Sequence, residues 1–158
     1  MKFTLVKIAS FIFLGFLLFS CENTDDSSSE SSTIDINEIK SLVVSGSWMV
    51  ASYKEDGIDQ TSNFSGYGFT FNSEGVLGAA NGSTSISGAW SIVSDSSSSN
   101  DDSNSNDNVD FNIFFTSPAN FEEISEDWQI VSYSSSRIEL KHVSGGDGSI
   151  DRLIFEKQ

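Results

Sequence analysis

The chain is expected to be all-β, an antiparallel up-and-down barrel of about eight strands with one short helix on its N-terminal side. Three observations predict this. Apolar residues alternate with polar or small ones at period two along most of the chain from Trp48 onward, the pattern of half-buried strands. The alternating stretches follow one another closely, separated by turns rich in glycine, asparagine and serine. Helical spacing is scarce. Sequential antiparallel strands of this kind close on themselves and leave no open sheet edge.

The elements follow in chain order. Ile36, Ile39, Leu42 and Val43 have helical spacing and predict the short helix. Trp48 and Val50 share one face of the first strand, and Tyr67, Phe69 and Phe71 one face of the second, with Gly68 and Thr70 between them. Asn72-Ser73-Glu74-Gly75 is a tight turn into a third strand, Val76 to Ala80. Asn81-Gly82 is a strong hairpin signal, because both residues tolerate the positive φ that a two-residue turn requires. Ile86, Trp90 and Ile92 then share a face, with Gly88 among them. Val109, Phe111, Ile113 and Phe115 form the next strand, and a turn of helix fits Phe121 to Ser125. Trp128 with Ile130, Ile138 with Leu140, and Leu153 with Phe155 mark the last three strands. Gly145-Gly146-Asp147-Gly148 turns the chain before the final one.

Other stretches carry a different pattern. Lys2 and Lys7 precede an almost wholly apolar run, Ile8 to Phe19. That run is shorter than the about 20 residues a spanning helix needs, and it has the layout of a secretion signal. Residues 22–33 contain no apolar side chain and read as a flexible acidic tether, reaching roughly 40 Å when extended. Residues 94–108 contain only Ser, Asp and Asn; they cannot bury enough surface to offset their ordering entropy and read as a loop inserted between two strands. The expected division is a signal peptide over 1–20, a tether over 21–33 and a barrel domain over 34–158 with the 94–108 insert.

Three resemblances add to this. Leu18-Phe19-Ser20-Cys21 resembles the lipobox of bacterial lipoproteins, which implies cleavage before Cys21 and acylation of that cysteine. Asp25 and Asp26 are similar to the acidic export signals of surface lipoproteins in the Bacteroidetes. Gly46 to Val50, Gly66 to Gly75, Ser87 to Ser91, Asp127-Trp128 and the ending Ser144 to Lys157 resemble the lipocalin-like domain of flavobacterial lipoproteins. That likeness covers roughly Ile36 to Lys157, and it gives Trp48 the role of closing the barrel base. The chain departs from lipocalins in having no disulfide and no long C-terminal helix. Together the resemblances imply a protein anchored by lipid to the outer membrane of the cell envelope, facing the periplasm or the cell surface. They also imply a small hydrophobic or amphipathic ligand in the barrel. No cofactor is implied.

Composition excludes several functions. Without residues 1–20 the chain keeps 6 basic against 23 acidic side chains, a net charge of −17, which nucleic acid would repel. Cys21 is the only cysteine, so acylation leaves no free thiol for catalysis, disulfides or metal. His142 is the sole histidine; it reads as a partly buried structural residue, and no Gly-x-Ser-x-Gly elbow accompanies it. The neighbouring pairs Glu122/Glu123 and Glu126/Asp127 would point to opposite faces of a strand and share no pocket. Asp56 and Asp59, and Asp101, Asp102 and Asp107, offer oxygen ligands but fit no calcium loop. The expectation is therefore a non-enzymatic protein. Its one pocket candidate is the ring set Trp48, Tyr67, Phe69, Phe71, Trp90, Phe111, Phe115 and Trp128, which either fills the barrel or lines a cavity for one small ligand.

The anchor is open to a direct measurement. Cys21→Ser should abolish incorporation of labelled palmitate and release or misprocess the protein; unchanged labelling would refute acylation at this residue.

Overall fold

The computed structural model describes residues 34–94, 109–146 and 148–158. The expected signal peptide, Cys21, the tether and the acidic insert after Ser94 lie outside the described residues, as does Asp147.

Helix α1 runs from Ile36 to Val43. Asp35 caps it, its carboxylate accepting from the backbone N–H groups of Asn37 and Glu38 at 2.9 and 3.2 Å, which satisfies donors that a helix start leaves without partners. Ile39 and Val43, four residues apart and therefore on one face, are fully buried.

The strands follow as β1 (Ser47–Glu55), β2 (Ile58–Asp59), β3 (Gly68–Phe71), β4 (Val76–Ala80), β5 (Ser85–Ser94), β6 (Val109–Phe114), β7 (Asp127–Tyr133), β8 (Arg137–Val143) and β9 (Ile150–Lys157). All pairings are antiparallel between successive strands, except that β2 is a two-residue arm folded back on the end of β1, so β3 pairs with β1. Pairing of β1 with β9, from Trp48 opposite Lys157 to Lys54 opposite Arg152, closes the ring. Eight strands thus form the closed barrel that the alternation predicts. The strand pattern agrees in outline with a lipocalin-like barrel.

Three details depart from the simplest reading of the sequence. Tyr67 lies one residue before β3 and is half-buried. Ser94 belongs to β5, paired with Val109, so the acidic insert begins after it and joins two adjacent strands. Bulges at Ala51 in β1 and Val131 in β7 each insert one unpaired residue. Every inward position beyond a bulge changes parity, which turns Tyr53 into the core although it is out of step with Trp48 and Val50.

Both ends of the barrel are stoppered. At the base, where β1 starts and β9 ends, α1 lies across the opening, and the Trp48 indole donates to the Val43 carbonyl at 2.9 Å. At the far mouth a 3-10 turn, Thr61–Phe64, and a short helix α2, Ala119–Glu122, insert Phe64, Phe121 and Ile124. The Trp128 indole donates to the Ile124 carbonyl at 3.0 Å, and Asn120 donates to the Asn63 carbonyl at 3.2 Å. Ser125 Oγ accepts from the Phe115 N–H at 2.8 Å.

Gly88 shows how tightly the wall is packed. A β-carbon there would stand 2.4 Å from the Phe114 carbonyl oxygen and 2.6 Å from the Phe115 ring. Because the first obstacle is backbone, it cannot rotate away. Gly88→Ala should destabilise the fold by about 1–3 kcal/mol in denaturant titration, the usual cost of overpacking.

Candidate functional site

The barrel interior is the place to look first, because all eight predicted ring residues belong to it or to its ends. Trp48, Phe69, Phe71, Phe111, Phe115 and Trp128 are at most 4% exposed and Trp90 is 7% exposed. Inward positions on β3, β5 and β6 bring Phe71, Trp90 and Phe111 together. Phe71 stands edge-on to Trp90 at 5.4 Å and to Phe111 and Phe155 at 5.8 Å. Phe69 meets Phe155 at 5.4 Å and stacks on Phe121 at 5.9 Å. Phe115 and Tyr67 reach the others through Phe121, each at 5.1 Å. Trp128 joins through Tyr53, which in turn touches Phe64. Trp48 stands apart at the base, with the Lys157 ammonium 5.5 Å from its ring centre.

Apart from Trp48 the rings form one network, mostly edge-to-face, the geometry that aromatic quadrupoles favour. Its hub, Phe121, comes from a loop helix rather than a strand. Tyr53, Phe64, Phe121 and Phe155 belong to the network but not to the predicted ring set. Phe155 was legible as a strand residue; Phe64 and Phe121 lie in segments without alternation, and Tyr53 is masked by the bulge. Among the described residues the fully buried side chains are apolar or aromatic, and the Tyr53 hydroxyl and the indole N–H groups of Trp48, Trp90 and Trp128 all donate to backbone carbonyls. A cleft of about 440 Å³ is lined by Lys40 and Val44 of α1, Glu74, and the inward-facing Trp90 and Ile92, and one of about 360 Å³ by Met49, Val50, Thr61, Phe64 and Tyr67.

The far mouth holds the strongest electrostatic feature. The inward alternation of β8, β9 and β1 ends there on titratable side chains. His142 follows Ile138 and Leu140, Asp151 precedes Leu153 and Phe155, and Glu55 follows Tyr53. His142 and Asp151 are direct cross-strand partners, with Nδ1 and Oδ2 3.6 Å apart. His142 Nε2 lies 3.6 Å from the Glu126 carboxylate. The carboxyl of Glu55 neighbours that of the exposed Glu123, which follows α2. Asp151 also accepts from the Asp56 N–H at 2.9 Å. Burial, the Glu123 contact and the neighbouring charges of Glu123, Asp151 and Asp56 push the Glu55 carboxyl up to about 7. Burial, then the charges of Glu55, Asp151, Glu123 and Glu126, raise the Tyr53 hydroxyl above its ordinary value, and it donates to the Glu123 carbonyl at 2.8 Å. Among the described residues no group of acidic, histidine or cysteine side chains converges in a way that would hold a metal ion.

No family model matches this chain, and no curated protein matches it. Among solved structures it is similar to a crystal structure of a DUF4847 family protein from Bacteroides vulgatus ATCC 8482. Identity is 16%, the match covers 76% of this chain and 99% of the other, and the TM-score is 0.46.

The raised Glu55 value makes stability depend on pH with a definite sign. The folded-state value exceeds the ordinary 4.5, so folding takes up a proton between the two values. That contribution is full below about 4.5 and is lost as pH rises through about 7. Glu55→Gln, which never ionises, should match the parent near the lower value and melt higher above the upper one, by on the order of 5 °C. Equal melting temperatures of variant and parent across that range would exclude the effect.

Proposed function

We propose that this protein is a non-enzymatic module, displayed on the cell envelope by a lipid on Cys21, whose barrel serves as a structural core and whose outer surface meets its partners. One observation carries the reading: the ring network occupies the barrel interior while helical segments cover both ends. A barrel of eight strands has room either for its own side chains or for one small ligand. Here Phe121, Phe69 and Phe71 take up the position a ligand would need. The acidic tether and the net charge of −17 after removal of residues 1–20 suit a domain held in water near a membrane surface. The reading taken from the lipocalin resemblance, a small hydrophobic or amphipathic molecule inside the barrel, needs one end stopper to leave and the rings to separate.

The two readings differ in what Phe69→Ala does. With a filled core, hydrophobic dyes and fatty acids should give no saturable one-to-one quenching of tryptophan fluorescence in mildly acidic buffer. Phe69→Ala should then cost about 3–5 kcal/mol of stability, as truncation of a buried Phe does. Saturable quenching, with Phe69→Ala mainly weakening it, would replace the structural reading with the ligand-binding one.

A further inference from the structure

We infer that the cleft of about 440 Å³ between α1, the β3–β4 turn and β5 binds a free α-amino acid with an apolar or aromatic side chain, its carboxylate met by Lys40 and its ammonium by Glu74.

The cleft has a fixed frame. Lys40, Ser41 and Val44 line it from one face of α1, while Ile39 and Val43 of the same helix are fully buried and seat it in the barrel base. The turn Asn72–Gly75 is latched on the other side. The Asn72 side-chain carbonyl accepts from the N–H groups of Glu74 and Val76 at 3.0 and 2.8 Å. Its backbone carbonyl accepts from the Trp90 indole at 2.9 Å, and the Trp90 N–H donates to the Gly75 carbonyl at 2.9 Å. Gly75 has a φ of +84°, and a β-carbon there would stand 3.3 Å from the Trp90 carbonyl oxygen. Glu74 is thus carried on a turn held to β5 by both the backbone and the indole of Trp90.

The chemistry of the lining selects the ligand. Val44, Trp90 and Ile92 supply an apolar wall, on which a hydrocarbon or aromatic side chain gains by leaving water. Lys40 and Glu74 bring opposite charges to the same cleft, yet among the described residues neither side chain makes an ion pair or a hydrogen bond. Two such groups left unpaired across one space match a ligand that carries both charges itself. The net charge of −17 after removal of residues 1–20 narrows the class further. It repels a plain anion such as a fatty acid, and it draws a plain cation to many places equally. A zwitterion has no net charge and gains only where both partners stand together. The volume suits a small ligand. Neither Phe69 nor Phe121 lines this cleft, so it can be occupied while the ring network stays filled.

Two-dimensional NMR of the full mature chain in non-ionic detergent, titrated with L-phenylalanine to about 10 mM, tests this in the range expected for so small a ligand. Saturable shifts should appear at the amides of 40–41, 73–75 and 90–92 and not at those of Phe69 or Phe121. 3-Phenylpropanoate, which lacks the ammonium, and 2-phenylethylamine, which lacks the carboxylate, should each bind about fivefold more weakly or worse, the loss of one charge-assisted hydrogen bond. Lys40→Gln and Glu74→Gln change exposed side chains and should leave the rest of the spectrum in place. Each should weaken L-phenylalanine by a similar factor. Lys40→Gln should leave 2-phenylethylamine unaffected, and Glu74→Gln should leave 3-phenylpropanoate unaffected. No saturable shift at these amides would overturn the proposal. So would equal binding of all three compounds, or an affinity for L-phenylalanine that both variants keep. Shifts at Phe69 and Phe121 instead would place a ligand inside the barrel, which contradicts the filled core and not only this site.

Discussion

The closed ring of eight strands sets the terms for everything else in this structure. Closure removes sheet edges, but it fixes an interior of given width that must be filled at the density of a solid core, because voids forfeit dispersion contacts. Seven buried phenylalanines among the described residues, Phe64, Phe69, Phe71, Phe111, Phe115, Phe121 and Phe155, meet much of that demand. Rings are large and rigid, and they pack edge to face across the interior, so strands with few residues each can fill the space between them. Closure also leaves two circular openings, which strands cannot cover. The chain covers them with the elements that are not strands: α1 at the base, and the 3-10 turn with α2 at the far mouth.

Most of the wall was legible in the sequence because period-two alternation is a local property. Phe69 and Phe71, Trp90 and Ile92, Phe111 and Ile113 read correctly from their own neighbours. The helix of Ile36 to Val43 did so too, as did the turns at Asn72–Gly75 and Asn81–Gly82. What escaped has a common cause. Bulges depend on the partner strand, so nothing near Ala51 announces that Tyr53 and Glu55 face inward. Stoppers depend on the hole they fill, so Phe64 and Phe121 sit in segments with no periodicity of their own. Glu123 looked like one of an adjacent pair with Glu122; its real neighbour, Glu55, lies 68 positions earlier in the chain.

The rim of the far mouth follows from the same geometry. An inward-facing position in the middle of a strand is dry and takes an apolar residue. The same position at the strand end sits where water begins and can hold an ionisable group at a partial desolvation cost. Glu55, His142 and Asp151 occupy such positions on three adjacent strands. The opposite charges on the outer wall behave differently. Arg137 with Glu156 and Glu139, and Arg152 with Glu139, are solvent-exposed ladders on β8 and β9, which contribute little each. Glu55, whose carboxyl is pushed up by burial and its acidic neighbours, sits at this end.

The pairing of β1 with β9 has a consequence for the order in which the molecule can assemble. Val50 and Phe155 are cross-strand partners although almost the whole domain separates them along the chain. The hairpins can form early from local contacts, but the ring stays open until the C-terminal strand arrives. Folding rates fall as the sequence distance between partners grows, and an open sheet of this kind exposes two unsatisfied edges while it waits. A nascent chain emerging N-terminus first is thus held in an unclosed state until β9 is free, and loss of β9 alone would leave β1 without its longest partner.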